Sequence, residues 1–179
     1  MQDLGTAQGP SKSLRGSIAL SDWHDVGGGE AGHVVSDASN PNIVYAGEYL
    51  GILTRYDDRT GESRNVSAWP ENPSGHGGED MKYRFQWTAP IAASPHDPKV
   101  IYHGAQVIFR TANGGQSWDV ISPDLTRNDK AKQKWSGGPI TGDNTGVETY
   151  DTVFAIAESP VQKGLIWAGT DDGLVQLTR

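Results

Sequence analysis

Arg110-Thr-Ala-Asn-Gly-Gly-Gln-Ser-Trp118 reads as a tight hairpin turn. It joins two runs rich in β-branched and aromatic residues, 107–111 and 118–122, whose composition favours extended strands. Asn113 can hydrogen-bond its own turn and tolerates a left-handed backbone. Gly115 supplies a positive φ with no Cβ to clash. Trp118 then folds back over the strands as a large apolar side chain.

Upstream of this hairpin lies a pattern that occurs three times. The segments are Asp37-Ala-Ser-Asn-Pro-Asn-Ile-Val-Tyr-Ala-Gly47, Ser94-Pro-His-Asp-Pro-Lys-Val-Ile-Tyr-His-Gly104 and Ser159-Pro-Val-Gln-Lys-Gly-Leu-Ile-Trp-Ala-Gly169. Each is a polar turn, two apolar residues, an aromatic (Tyr45, Tyr102, Trp167), one residue and a glycine. Such self-similarity marks supersecondary units that bury their faces only against one another. Each repeat reads as strands a (33–35, 88–93, 153–157), b (43–46, 100–103, 165–168) and c (52–56, 107–111, 174–178), with d strands at 64–68 and 118–122. The expected fold is all-β: about three four-stranded antiparallel β-propeller blades in one partial-propeller domain, 1–179, with repeats at about 33–68, 88–122 and 153–179. The third repeat stops before its strand d. Residues 17–26 read as a spare outer strand and 1–14 as a flexible N-terminus.

Composition narrows the function. The 23 glycines and 10 prolines favour many turns over long helices. A net charge of -7 argues against a partner with a phosphate backbone, and the short basic run 130–134 reads as a solvated loop, so no nucleic acid is expected. No cysteine is present, which removes disulfides and Cys-based zinc or catalysis. The polar, glycine-rich start has no apolar signal-peptide core, and no apolar run is long enough to span a membrane. The five histidines show no metal-ligand spacing, so no metal and no cofactor is implied. The 143–148 loop lacks the spacing of an EF-hand.

The hairpin at 110–118 resembles the Asp-box (BNR) motif, Ser/Thr-x-Asp/Asn-x-Gly-x-Ser/Thr-Trp. The first repeat has a degenerate counterpart, Asp58-Arg-Thr-Gly-Glu-Ser63, with Arg64 in place of the tryptophan. Further stretches, among them Gly27-Gly-Gly-Glu-Ala-Gly32, Arg84-Phe-Gln-Trp87, Ser122-Pro-Asp-Leu-Thr-Arg-Asn128 and Trp167-Ala-Gly-Thr-Asp-Asp-Gly-Leu-Val175, are similar to bacterial Asp-box repeat propellers of the sortilin/Vps10-like "glycosyl hydrolase" group. The resemblance runs from about Arg15 to Arg179 and is to an internal piece of such a protein. It implies a propeller fold and often an exported protein; it brings no catalytic residues with it.

In a four-stranded blade the d→a and b→c loops share one end, and the Asp-box turn lies at the other. The d→a loops here, 70–84 and 123–150, are long enough to carry function. They and their borders supply four candidate acids and bases, Glu79, Asp80, Glu148 and Asp151, for work on a glycosidic bond. Trp69, His76, Tyr83, Arg84, Trp135, Asn144 and Tyr150 are the candidate ligand-binding residues, the tryptophans offering apolar faces to a sugar ring. Each has a structural alternative: Asp143-Asn144 as turn chemistry, Arg84 in an ion pair with Glu148, the acids simply solvated. A sialidase is disfavoured, because only Arg84 and Arg127 fall on this face, short of the arginine cluster that a carboxylated substrate needs.

The function expected is a non-catalytic binding or scaffold module whose loop face recognises a carbohydrate or peptide ligand, with a glycoside hydrolase as the alternative. A homodimer is also expected. Two chains would close a six-bladed propeller, residues 17–26 of each completing the last blade of the other.

Overall fold

The computed structural model describes residues 4–30, 32–142 and 145–178. Its strands, in chain order, are β1 (Ala7–Gln8), β2 (His24–Asp25), β3 (Val34–Ser36), β4 (Ile43–Gly47), β5 (Leu53–Asp57), β6 (Glu62–Asn65), β7 (Ile91–Ala93), β8 (Ile101–Gly104), β9 (Ile108–Thr111), β10 (Asp119–Val120), β11 (Val153–Glu158), β12 (Ile166–Thr170) and β13 (Val175–Leu177). Three antiparallel sheets follow the three repeats, in the orders β3-β4-β5-β6, β7-β8-β9-β10 and β11-β12-β13. These are β-propeller blades, two of four strands and one of three. The strand at Thr88–Ala93 is shorter than its sequence implies: Pro90 has no N–H to give the ladder, although its carbonyl still accepts from Gly104 N–H.

Two of the three core clusters lie between blades, and the third, Phe85, Ala89, Ala105, Val107 and Phe109, lies within the second repeat. Ile43, Tyr45 and Leu53 of the first blade pack on Ile91 and Ile101 of the second. Tyr102 and Ile108 of the second pack on Val153, Ile166 and Ala168 of the third. Alternation along strand b explains this: Ile101 and Ile166 face the blade before, while Tyr45 and Tyr102 face the blade after. Trp167 holds the same repeat position as those tyrosines, and with no blade beyond it among the described residues it is 47% exposed.

The N-terminal segment departs from expectation. Residues 17–26 do not form a strand d; Leu20–Asp22 is a 3-10 turn, and only His24–Asp25 pairs as a strand, with Ala7–Gln8. The cause is local. The Asp22 carboxylate accepts from Ala19 N–H at 2.8 Å and pairs with Arg15, and this offers the backbone an alternative to a ladder. Val26, fully buried, and Thr6 anchor the ribbon. No described helix is long and apolar enough to cross a membrane.

Candidate functional site

The d→a loops gather at one end of the blades with the b→c turns, as the topology requires. Gln106, in the b→c turn of the second blade, accepts from Arg84 N–H (2.8 Å) and donates to the Lys82 carbonyl (2.8 Å). Asp172, in the b→c turn of the third, accepts from Arg127 N–H. The two long loops are also joined to each other: Glu79 N–H donates to the Gln133 carbonyl at 3.0 Å. A Cβ on Gly77 would lie 2.9 Å from the backbone nitrogen of Trp135, so glycine permits this close approach.

Arg84 and Asp151 form a buried frame beneath this surface. Arg84 is 3% exposed; its Nη2 reaches Asp124 Oδ2 at 2.8 Å and its Nε donates to the Asp151 carbonyl at 3.2 Å. The ion pair that the sequence offered Arg84 with Glu148 is thus made with Asp124 instead. Asp151 is completely buried, sits at φ 60°, and takes a 2.6 Å hydrogen bond from Gln133 Nε2 on one oxygen. Its other oxygen, Oδ1, is buried without a hydrogen-bond partner. A left-handed, non-glycine residue costs energy, and the surrounding bonds hold it there. Both residues face inward, where neither can meet a ligand at the surface without rearrangement.

Burial raises all three neighbouring acids, and the hydrogen bonds each accepts decide the outcome. Burial pushes the Asp124 carboxyl up, but hydrogen bonds from Thr126 and Arg84 outweigh it and leave the group below its ordinary range. Burial raises Asp171, and the bonds it accepts from Thr152 N–H and Oγ1 only partly offset that. Asp172 ends below the usual range because bonds from Arg127, Thr170 and Leu174 overcome its burial. Arg127 Nε also donates to the Asp172 carbonyl at 3.1 Å. Both arginines of this face are therefore engaged within the protein.

The remaining candidates are at the surface. Glu79 and Asp80 lie exposed on the 3-10 turn Gly78–Asp80, with His76 Nδ1 4.0 Å from Asp80. Glu148 is exposed and accepts from Thr145 Oγ1 at 2.6 Å. His76, Glu148 and Tyr150 line one hollow with Lys132, whose ammonium sits 5.2 Å over the Tyr150 ring. Trp69 and Tyr83 line a second, their rings edge to face at 5.4 Å, with Lys82 4.0 Å over the indole. Tyr83 packs further on Phe109. Trp135 is 54% exposed, its indole pressed on Gly142, where any Cβ would collide. Asn144, with Asp143, lies outside the described residues. The hollows enclose only about 10 and 20 Å³, against about 300–1,000 Å³ for a small-molecule pocket. Among the described residues no group of three or more His, Asp or Glu is placed to hold a metal ion.

Sequence reasoning missed the residues that organise this face: Gln106, Asp124, Gln133, Asp171 and Asp172. Their signal was present only as turn chemistry, Asp124-Leu-Thr126 and Asp171-Asp172-Gly173, which says nothing about distant partners.

No family model matches the sequence, and no curated protein matches it. Among solved structures the chain is similar to a GH74 xyloglucanase from Xanthomonas campestris, with a TM-score of 0.51 and 18% identity. The match covers 86% of this chain and 22% of that one, so the chain spans less than a quarter of that protein's length. At this identity the likeness carries the fold alone, that of propeller blades.

Proposed function

We propose that the chain is a segment of a glycan-recognising β-propeller whose loop face binds a saccharide without cleaving it. One observation carries this reading: the loop face is open, presenting the exposed indoles of Trp69 and Trp135 beside solvated acids, with no enclosed pocket around them. Aromatic faces hold sugar rings by apolar contact, whereas a general acid needs a carboxyl kept protonated by apolar surroundings. Glu79, Asp80 and Glu148 lack such surroundings, and Asp151 is turned inward. The similarity to a xyloglucanase is in keeping with a polysaccharide ligand. It also keeps a glycoside hydrolase as the second reading, in which further blades would complete a pocket.

The Asp-box kinship belongs to this proposal. Its support is the bonding of the 111–118 turn, where Thr111 Oγ1 accepts from Gly115 N–H (3.1 Å) and Asn113 Oδ1 from Ser117 N–H (3.1 Å). An exported location goes with the same reading. So does assembly: the outer face of the third blade shows Trp167, Val175 and Leu177 to solvent, as a blade awaiting its neighbour would.

A glycan array run beside a chromogenic glycoside panel tests the function. Binding that falls at least tenfold in Trp69→Ala or Trp135→Ala, without turnover, is the expected result. Turnover abolished by Glu148→Gln or Glu79→Gln would replace this reading with the hydrolase.

A further inference from the structure

The two inter-blade clefts can be compared position by position, because the repeats share a register. In the second blade, Tyr102, Arg110 and Asp119 stand opposite one another across β8, β9 and β10, on the side facing the third blade. Arg110 Nη2 lies 3.4 Å from Asp119 Oδ2. The Tyr102 hydroxyl donates to Glu158 Oε2 at 3.1 Å, and the other Glu158 oxygen accepts from Gly164 N–H at 2.7 Å. Two carboxylates, one from each blade, thus close this ladder.

In the first blade the same ladder reads Tyr45, Arg55, Arg64. Arg64 stands opposite Arg55 as Asp119 stands opposite Arg110, so Ser63, and not Arg64 as the sequence suggested, holds the Trp118 position. The strand that faces it ends in Ala93, where the third blade has Glu158, since Ser94-Pro95 aligns with Ser159-Pro160. Both acids are missing, and Lys99 adds a further cation from the a–b turn of the second blade. Like charges directly opposed on neighbouring strands are unfavourable, and here they persist in a chain of net charge -7.

Three acids lie near this charge, Asp37, Asp57 and Glu62, and Asp57 is paired with Arg59 at 2.6 Å. Asp37 Oδ1 is occupied by its own turn, accepting from Ser39 N–H (2.8 Å), Ser39 Oγ (2.7 Å) and Asn40 N–H (3.1 Å). Glu62 meets Arg64 at 3.5 Å, with both side chains more than half exposed. The space between the blades is a cleft of about 410 Å³, within the range of small-molecule sites. The 111–118 turn roofs it: a Cβ on Gly114 would lie 3.4 Å from Arg55 Nε and 3.6 Å from the Tyr45 hydroxyl.

We propose that this cleft binds the carboxylate of a uronic-acid residue in a glycan. Arg55 and Arg64 take the carboxylate in the place that Glu158 and Asp119 fill one cleft further on, as guanidinium forks suit a planar carboxylate. Lys99, Gln116 and the Tyr45 hydroxyl meet the ring oxygens. A peptide fits less well, because Val66 and Ala112 are the only aliphatic side chains of the lining and no pocket anchors a side chain. The site lies among a–b and c–d turns, at the opposite end of the blades from the loop face, and does not depend on the function proposed for that face.

Calorimetric titration of the intact chain with a tri-galacturonate, the matching neutral trisaccharide and an Asp/Glu-rich peptide tests the proposal. The uronate binds, the neutral sugar binds at least tenfold more weakly, and added salt weakens the uronate. Arg64→Asp installs the residue of the second blade; it lowers uronate affinity tenfold or more while the melting temperature holds or rises. Lys99→Glu, a surface change, lowers affinity in the same direction, and Lys163→Glu, the same charge change at an exposed residue of the third blade outside the cleft, leaves it unchanged. Equal binding of the neutral sugar, full affinity in Arg64→Asp, or loss of uronate binding in Lys163→Glu overturns the site. Binding of the peptide without the uronate overturns the ligand class.

Discussion

The indole N–H of Trp118 donates to the backbone carbonyl of Val66 at 2.8 Å, so a side chain of the second blade satisfies a backbone group of the first. The same ring packs on the core cluster between the two blades and on the cluster of Phe85, Ala89 and Phe109. Trp118→Ala removes this contact area and is expected to cost about 3 kcal/mol, the lower end for a large aromatic because the ring is only partly buried. Trp118→Phe keeps most of the packing and loses the hydrogen bond, about 1 kcal/mol. Urea unfolding of the three proteins checks the order. A Trp118→Ala midpoint equal to wild type would show that the indole does not staple the blades.

The repeat could be read from sequence because it is local. A proline-bearing turn, an aromatic at Tyr45, Tyr102 and Trp167, and a glycine two residues later fix strands b and their turns from neighbours alone. The N-terminal segment misled for the same reason: Ser17–Val26 has strand-like composition, but the Asp22 cap and the burial of Val26 decide its path. At the candidate site the exposed residues lay on the loops expected to carry them. The burial of Arg84 and Asp151 was not legible, since it depends on Asp124, Gln133 and Gln106, residues tens of positions away.

Arg84 and Asp124 are expected to make the loop face sensitive to acid. Arg84 is buried while Asp124 reaches solvent, so removing the acid strands a buried guanidinium, and Asp124→Ala is expected to cost about 3 kcal/mol. The carboxyl of Asp124 is held below its unfolded value, so its contribution is complete above the unfolded pKa, about 3.9, and is lost as pH falls through the lower folded value. Asp124→Asn should therefore flatten the acid limb of a stability-versus-pH curve below about pH 4. An unchanged acid limb would remove this pair from the account.

His103 titrates in a separate window. It is fully buried in contact with Phe85 and Trp118, and its Nδ1 has no hydrogen-bond partner. Burial, with a smaller push from His33, lowers its pKa to about 4. Between that value and about 6.5 the unfolded chain holds a proton that the folded chain refuses, so stability falls as pH drops through this window, by at most about 3 kcal/mol. His103→Leu should lose that slope. Denaturant midpoints measured from pH 7 to pH 4 give the answer, and a parallel slope in the variant would mean that His103 is not its source.

The exposed acids should behave in the opposite way. Glu79 meets the fold through its backbone N–H, and Glu148 through one hydroxyl, that of Thr145. Glu79→Gln and Glu148→Gln are expected to shift stability by less than about 0.5 kcal/mol each. Melting curves that fell by several degrees would assign these carboxylates a structural role.

The face of the third blade is where assembly is expected. Trp167 and Leu177 stand directly opposite one another, and Val175 opposite Gly169, on one face of the sheet. They are 47%, 40% and 70% exposed. In the first two blades the matching face is covered by the next blade, through Tyr45 and Tyr102. An uncovered apolar blade face is a contact site, and for an isolated chain a second copy is the available cover. The expectation is a dimer at micromolar concentration by light scattering, reduced to monomer by Trp167→Glu, which puts a charge in the middle of the contact. Deleting residues 1–26 should leave the dimer intact if this face alone makes it, because the ribbon of β1 and β2 lies against the first blade, near Val34 and Val44. A truncated chain that became monomeric would return the N-terminal segment to the role its sequence implied. An untruncated chain that stayed monomeric would mean that a second copy is not what covers this face.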